Sequence, residues 1–153
     1  MDVVVREMCG ADYPACLTLW NRCEGLVLRE QEGPASILRF LKRNHGMSWV
    51  AVSQGGLIGC ILCGHDGLTG YLYHLAIDPM SRRQGVGAVL VKHAIDRLAN
   101  QKVARVKVFV SANNIAGQLF WAQQGFNKGD SVDIYSQEIS TRVKWWNNPA
   151  SWQ

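Results

Sequence analysis

The stretch IDPMSRRQGVGAVL, residues 77–90, joins the end of an apolar strand to the start of a long helix through a basic loop. Gly85 and Gly87 stand where the helix begins, and Arg82 and Arg83 precede them. The first turn of a helix has unpaired backbone N–H groups and a partial positive charge. Because the glycines have no side chains, a phosphate can approach those N–H groups, and the arginines add attraction and bidentate contacts. The stretch therefore predicts a loop that binds a pyrophosphate.

Two other phosphate-binding loops do not fit this stretch. The Walker A pattern G-x-x-x-x-G-K-[ST] occurs nowhere in the chain, and the dinucleotide pattern G-x-G-x-x-G would need glycine at position 90, which is Leu90. On the glycine spacing alone, an ordinary loop with solvated arginines is as good an interpretation as a phosphate site. The choice between them depends on the rest of the chain.

Outward from this loop, the periodicity of apolar residues and the turn residues predict strands and helices in one mixed order. Such an order is typical of an α/β domain in which helices cover a mixed sheet. In chain order we predict a strand at 3–7, helices at 12–23 and 34–46, a hairpin turning at 54–56, a strand at 71–77, a helix at 85–98, a strand at 103–110, a helix at 115–124 and a final strand at 131–139.

The composition fits one domain. The chain has 153 residues, of which 48% are apolar and 18% charged, so it can bury a core, and a formal charge of +4 without a Lys/Arg run gives no reason to expect nucleic acid. No apolar stretch approaches the length of a membrane span, and the N-terminus lacks the pattern of a signal peptide, so we expect no membrane contact and a cytoplasmic location. We divide the chain into a domain at 1–140 and an aromatic tail at 141–153.

The five cysteines predict free thiols. Cys60 and Cys63 form a C-x-x-C pair, but they lie in an apolar run that has the pattern of a strand, where residues three apart point to opposite faces. Cys16 and Cys23 share a helical stripe and fit core packing. We therefore predict neither a disulfide nor a metal site.

Three motifs together resemble the GNAT superfamily of N-acetyltransferases. Arg82-x-x-Gly85-x-Gly87 resembles the family signature R/Q-x-x-G-x-G/A, and the preceding YLYHLAIDP resembles its fourth strand. NIAGQLFWAQQGF, residues 114–126, resembles a later family pattern, with Gly117 where alanine is usual. The resemblance runs from the first strand to about residue 139. It implies the acyl-CoA N-acyltransferase fold, with a mixed, mostly antiparallel sheet of six to seven strands flanked by about four helices.

A finer resemblance points to a small bacterial branch that is similar to the ribosomal-protein alanine acetyltransferases. Leu19-Trp20-x-x-Cys23 in the first helix and Gly64-x-Asp66-Gly67 before the fourth strand carry it. The family resemblance also implies acetyl-CoA as co-substrate, no metal, and an amine acceptor that the sequence does not identify.

The resemblance assigns the cofactor to the gap between the fourth and fifth strands. There the pantetheine would pair with the fourth strand as a further strand does, and the pyrophosphate would lie on the loop and the first helical turn. The implied cofactor-binding residues are Leu75, Ala76, Ile77, Arg82, Arg83, Gln84, Gly85, Val86, Gly87, Ala88, Asn114 and Trp121.

The catalytic groups stay open at this level. Family members often have a tyrosine where this chain has Trp121, and an indole N–H does not supply a proton near neutral pH. Tyr71 and Tyr73 are therefore candidates for the acid, and His74 is a candidate base or a structural histidine. Three acids that follow the first helix either contact a cationic acceptor or form a solvated loop: Glu24, Glu30 and Glu32.

Two alternatives to an active transferase remain. Trp121 is also compatible with a non-catalytic CoA-binding or regulatory module. The tail contains Trp145, Trp146 and Trp152, and so aromatic a segment favours packing on the domain or on a second subunit in a homodimer. An interaction protein that uses this tail is the third hypothesis.

Overall fold

A computed structural model describes residues 2–23, 26, 33–129 and 132–139. Two short 3-10 turns, Gly10–Asp12 and Pro79–Ser81, precede α1 and α3. The helices and strands are, in chain order, β1 Val4–Glu7, α1 Tyr13–Arg22, α2 Pro34–Arg43, β2 Trp49–Ser53, β3 Gly56–His65, β4 Gly70–Ile77, α3 Val86–Asn100, β5 Val106–Val108 and α4 Ile115–Gln123.

The strands form one sheet in the order β1-β2-β3-β4-β5. The first three pairs are antiparallel and β4 pairs with β5 in parallel, so the predicted mixed, mostly antiparallel sheet is confirmed. The predicted number of strands is wrong, because the described residues form five strands instead of six or seven.

The predicted final strand at 131–139 accounts for part of this difference. Its described residues, 132–139, form no strand and are exposed. Val132 and Ile134 begin an alternation, but Ser136, Gln137 and Glu138 follow, so the segment has no continuous apolar face to bury against a sheet. The strand predicted at 103–110 is also shorter, since only Val106–Val108 pair with β4.

Helices cover both faces of the sheet. On one face α3 buries Leu90, Val91, Ala94 and Leu98 against β2, β3 and β4, and α4 packs beside it. On the other face α1 and α2 bury a second cluster that includes Cys16, Leu19, Trp20 and Ile37. This sandwich of helices around one sheet is the predicted fold class.

The cysteines lie as the sequence predicts. Cys60 belongs to the cluster under α1 and Cys63 to the cluster under α3, so the C-x-x-C pair is divided between the two faces. All five cysteines are free thiols. Burial raises the pKa of the Cys63 thiol to about 12, so this side chain stays protonated and packs as an apolar group.

Two helix ends differ from the prediction. The helix predicted at 12–23 spans Tyr13–Arg22, and Asp12 stands at its N-cap position, but the Asp12 carboxylate accepts hydrogen bonds from Arg6 at 2.8 and 2.9 Å and does not cap the helix. The helix predicted at 34–46 ends earlier, at Arg43 with Asn44 as its C-cap, where the Asn44 side chain donates to the Phe40 carbonyl and accepts the His65 N–H.

Candidate active site

The two strands at the centre of the predicted site separate along their length. β5 pairs with β4 only over Gly70–Leu72, while β4 continues to Ile77. Among the described residues, no strand therefore pairs with the second half of β4 on the side away from β3. The gap that the family resemblance implies between the fourth and fifth strands is present.

A β-bulge lies in β4 at the point where the gap opens. Leu62 of β3 pairs with Tyr73 and Cys60 pairs with Ala76, so β4 has one residue more than β3 between these pairs. His74 has a φ of +51°, in the left-handed region that residues other than glycine rarely adopt. The bulge is therefore a strained feature, and strain of this kind often marks a functional site.

The bulge determines which backbone groups face the gap. The N–H of Asp78 donates to the Ile58 carbonyl of β3 at 2.7 Å. Backbone groups of successive strand residues point to alternate sides, so those of Ile77 and Leu75 point away from β3. At the other end of the strand, the N–H of Gly70 also points away from β3, toward the chain that enters β5. Without the extra residue Leu75 would face β3, so the bulge turns its amide toward the gap.

The end of β4 is held by side chains from α1 and from the loop. The Ile77 carbonyl accepts from Arg82 Nε at 3.3 Å and from Cys23 Sγ at 3.5 Å. Asp78 forms an ion pair with Arg22 at 3.0 Å and accepts the Met80 N–H at 3.0 Å. The Met80 N–H, and after it the Arg22 guanidinium, lowers the pKa of the Asp78 carboxyl. Because the Ile77 carbonyl already accepts these two hydrogen bonds, the backbone group of Ile77 that remains for a ligand is its N–H.

The loop leads into a helix start that is open. Arg83 and Gly85 have φ values of +63° and +81°, so the chain turns twice through the left-handed region before α3. No described side chain caps the N-terminus of α3, and a Cβ at Gly85 would have nothing within 4 Å. Arg82, Arg83 and Gln84 are exposed around this opening. The result is a helix N-terminus with free N–H groups beside cationic side chains, an arrangement that suits an anion.

Gly87 also has a packing role that the sequence does not predict. A Cβ at this position would lie 3.2 Å from the Phe120 ring and 3.7 Å from the Ile77 side chain. Gly87 is buried, so the missing side chain lets α3 approach α4 and β4. Of the two glycines, Gly85 opens the site and Gly87 allows the helices to pack.

The two predicted cofactor residues on α4 have clear local roles. Asn114 is the N-cap of α4, and its Oδ1 accepts the Gly117 N–H at 3.0 Å. A Cβ at Gly117 would overlap the Asn114 side chain, so the absence of a side chain at Gly117 leaves room for this cap. Trp121 packs edge-to-face on Phe120 and Phe126 with ring centroids 5.1 and 5.0 Å apart, partly buried against the core. Trp121 therefore takes part in the packing of α4 against the core.

The tyrosines proposed as acids belong to an aromatic row that sequence reasoning missed. Tyr71 stacks on Tyr73 with ring centroids 6.1 Å apart, and Phe109, just after β5, stacks on Tyr71 at 6.1 Å. Phe40 of α2 contacts Tyr73 edge-on at 6.0 Å. Tyr73 packs on the cluster under α1 and α2, so the row lies on that face of the sheet, beside the start of the gap. The alternation of aromatic residues in β4 was the available signal.

His74 lies against α1. Its ring centroid is 5.3 Å from that of Trp20, and its carbonyl accepts the Trp20 Nε1–H at 3.1 Å. The structure therefore brings the candidate base to the bulge but packs its ring on a buried indole. The acids Glu24, Glu30 and Glu32 and the tryptophans of the tail lie outside the described residues.

Within the described part of the chain, no group of three or more His, Cys, Asp or Glu residues could hold a metal ion. No helix there is long and apolar enough to span a membrane.

With this geometry established, comparison with known proteins identifies the family. A family model described as "Acetyltransferase (GNAT) family" matches residues 13–126, about three quarters of the chain. The chain therefore belongs to the GNAT family of acetyltransferases, and the predicted family and the predicted enzyme class, an acyltransferase, are confirmed.

Individual relatives agree with this. An acetyltransferase of Pectobacterium atrosepticum is 29% identical over 132 residues, which cover 86% of this chain and 92% of the relative. Among solved structures, the PaiA N-acetyltransferase of Thermoplasma acidophilum in complex with coenzyme A has a TM-score of 0.76 at 18% identity, over 86% of this chain and 94% of that one. The ribosomal-protein-S18-alanine N-acetyltransferase of Escherichia coli has a TM-score of 0.68 at 22% identity, over 84% and 80% of the two chains. At such identities the solved structures show the shared fold.

Proposed function

We propose that the protein binds acetyl-CoA and transfers the acetyl group directly to a primary amine of a small-molecule or protein acceptor. One observation supports this most: the second half of β4 has an edge that no described strand covers, and the open first turn of α3 follows it along the chain. Acetyl-CoA carries its thioester, its pantetheine and its pyrophosphate in the same order. A strand edge followed by an anion-binding helix start matches that order of chemistry.

In this proposal the Leu75 N–H donates to the acetyl oxygen, and the Leu75 carbonyl and the Ile77 N–H pair with the pantetheine amides. The exposed arginines attract the pyrophosphate, and the backbone N–H groups at the start of α3 bind it. The residues proposed to contact acetyl-CoA are Leu75, Ala76, Ile77, Arg82, Arg83, Gln84, Gly85, Val86, Gly87 and Ala88, with Asn114 and Trp121 on α4.

The reaction requires a neutral amine beside the thioester carbonyl. A base, or a water chain that leads to one, accepts the ammonium proton, and the amine nitrogen then bonds to the carbonyl carbon. The Leu75 N–H stabilises the negative charge that develops on the carbonyl oxygen. As the C–S bond breaks, the nitrogen gives up a second proton to the base or water chain to form the amide, and the thiolate takes up a proton, for which Tyr71 and Tyr73 are the candidate donors. His74 remains the candidate base, although its contact with Trp20 also fits a structural role.

Gly85→Glu tests the cofactor site. The substitution places a carboxylate beside the open N-terminus of α3, and a left-handed φ disfavours any side chain there. Gly67→Glu is the matched control, because Gly67 has a φ of +93° and lies in the loop at the opposite end of β4. A Cβ added at Gly67 would also have nothing within 4 Å, so the two substitutions differ in location and not in local crowding.

We expect millimolar acetyl-CoA to raise the Tm of the wild type and of Gly67→Glu but not that of Gly85→Glu. The proposal predicts CoA release with at least one member of an amine panel. Binding without turnover across the panel would favour the non-catalytic CoA-binding module. No Tm shift in the wild type would contradict both and would favour the interaction protein.

A further inference from the structure

Trp20 joins α1 to the strained residue of β4. It is only 2% exposed, and its Nε1–H donates to the His74 carbonyl at 3.1 Å. The two rings also pack together, with centroids 5.3 Å apart. A histidine at a φ of +51° is unfavourable by itself and persists only where surrounding contacts hold it. Trp20 supplies two such contacts.

The bonded carbonyl belongs to the same peptide group as the Leu75 N–H. In a trans peptide the C=O and the N–H point in opposite directions. A bond from Trp20 to the His74 oxygen therefore directs the Leu75 N–H away from α1, and the register of β4 places this amide on the side of the gap. A hydrogen bond to the carbonyl also polarises the peptide group and makes its N–H a stronger donor.

We propose that Trp20 is a positioning residue, which orients the His74–Leu75 peptide group so that its N–H binds the acetyl oxygen during transfer. This inference rests on the proposed function, since it requires a thioester carbonyl in the gap. It assigns to a buried indole of α1 a role in the reaction step. Binding of CoA itself, which has no acetyl oxygen, does not depend on this amide.

Trp49 provides a matched control. It is 8% exposed and lies in the cluster on the other face of the sheet, and its Nε1 is buried with no hydrogen-bond partner among the described groups. Trp20→Phe and Trp49→Phe therefore make the same chemical change in two buried sites, but only the first removes a hydrogen bond. Incorporation of β-(3-benzothienyl)alanine at position 20 or 49 replaces the N–H by sulfur at nearly constant volume, which tests the bond if Trp20→Phe folds poorly.

We expect the position-20 variants to lower kcat about tenfold, because complete loss of an oxyanion donor lowers kcat by about 100-fold or more and here the donor is only misdirected. The Kd for CoA should stay within about twofold. The position-49 variants should keep the wild-type kcat and Kd. In 15N-labelled apoprotein, the Leu75 amide should shift and exchange faster only when position 20 is changed.

A merely structural Trp20 would lower stability without this difference between kcat and Kd. If an active wild type keeps its kcat in the position-20 variants, or if the position-49 variants lose as much, the inference on Trp20 is wrong and the proposed function stands. If the wild type acetylates no amine, both are wrong.

Discussion

Substitution of Asp78 measures how much the loop between β4 and α3, which we propose binds the pyrophosphate, contributes to the stability of the protein and to the binding of acetyl-CoA. The Asp78 carboxylate accepts the Met80 N–H at 3.0 Å at the start of the 3-10 turn and pairs with Arg22 at 3.0 Å. Loss of such a cap destabilises a protein by about 1 kcal/mol, and loss of an exposed ion pair by up to about 1 kcal/mol. Asp78→Ala should therefore lower the free energy of unfolding by about 1–2 kcal/mol.

Two readouts follow from this magnitude. For a domain of this size, 1 kcal/mol corresponds to about 2–4 °C, so the Tm should fall by about 2–8 °C. If acetyl-CoA binds the ordered loop as we propose, the same free energy sets an upper bound of about 30-fold on the increase in Kd. We expect an increase of at least about threefold, measured by isothermal titration calorimetry, with thermal unfolding of the same samples.

Asp66→Ala separates a loop-specific effect from general loss of stability. Asp66 also accepts backbone N–H groups of its own turn, those of Leu68 and Thr69 at 2.8 Å each, but it lies before β4, away from the gap. This variant should lower the Tm and leave the Kd for acetyl-CoA within about twofold. Equal changes of Kd in the two variants, or an unchanged Kd in Asp78→Ala, would refute the reasoning.

Three further predictions concern the rest of the fold. The hydrogen bonds from Arg6 lower the pKa of the Asp12 carboxyl from its ordinary value of 3.8. The ionised carboxylate therefore stabilises the folded protein above that pH, and this stabilisation is lost as the pH falls through the lower pKa of the folded state. In urea unfolding, the free energies of unfolding of the wild type and Asp12→Asn should converge below about pH 4. Leu90 is fully buried, so Leu90→Ala should lower the free energy of urea unfolding by about 2–5 kcal/mol, whereas Leu119→Ala, at a side chain that is 62% exposed, should change it by less than about 0.5 kcal/mol. Cys9 is exposed, so a thiol reagent should modify it first in the native protein, before the buried thiols; if Cys9→Ser leaves the fast phase intact, this assignment is wrong.

The C-terminal part of α1 and the residue after it contact the end of β4 and the following loop at three places. Trp20 bonds the bulge, Arg22 pairs with Asp78, and Cys23 contacts the Ile77 carbonyl. These contacts hold β4 at the bulge, at its last residue and at the start of the following loop, the three places where we propose that the thioester, the end of the pantetheine and the pyrophosphate bind. Substitutions in this part of α1 should therefore alter the proposed site even where the substituted residue does not itself contact a ligand.

Much of this protein can be predicted from residues that are close together in the chain. Apolar periodicity located four helices, the glycines located the hairpin and the start of α3, and the spacing of Cys60 and Cys63 placed them on opposite faces. These features succeed because helix, strand and turn preferences depend on neighbouring residues. The motif around Gly85, the strand pattern before it and the pattern at residues 114–126 were together sufficient to indicate the family.

Only the tertiary structure decided the geometry of the site. The bulge at His74 has no local signal, since a histidine within a strand pattern does not by itself indicate a positive φ, and it becomes visible only when the residues of β3 and β4 are counted against each other. The contacts of Trp20 with His74 and of Arg22 with Asp78 join residues 54 and 56 positions apart. Such pairs form because α1 packs across the sheet, and no pattern within either segment states which partner the other will meet.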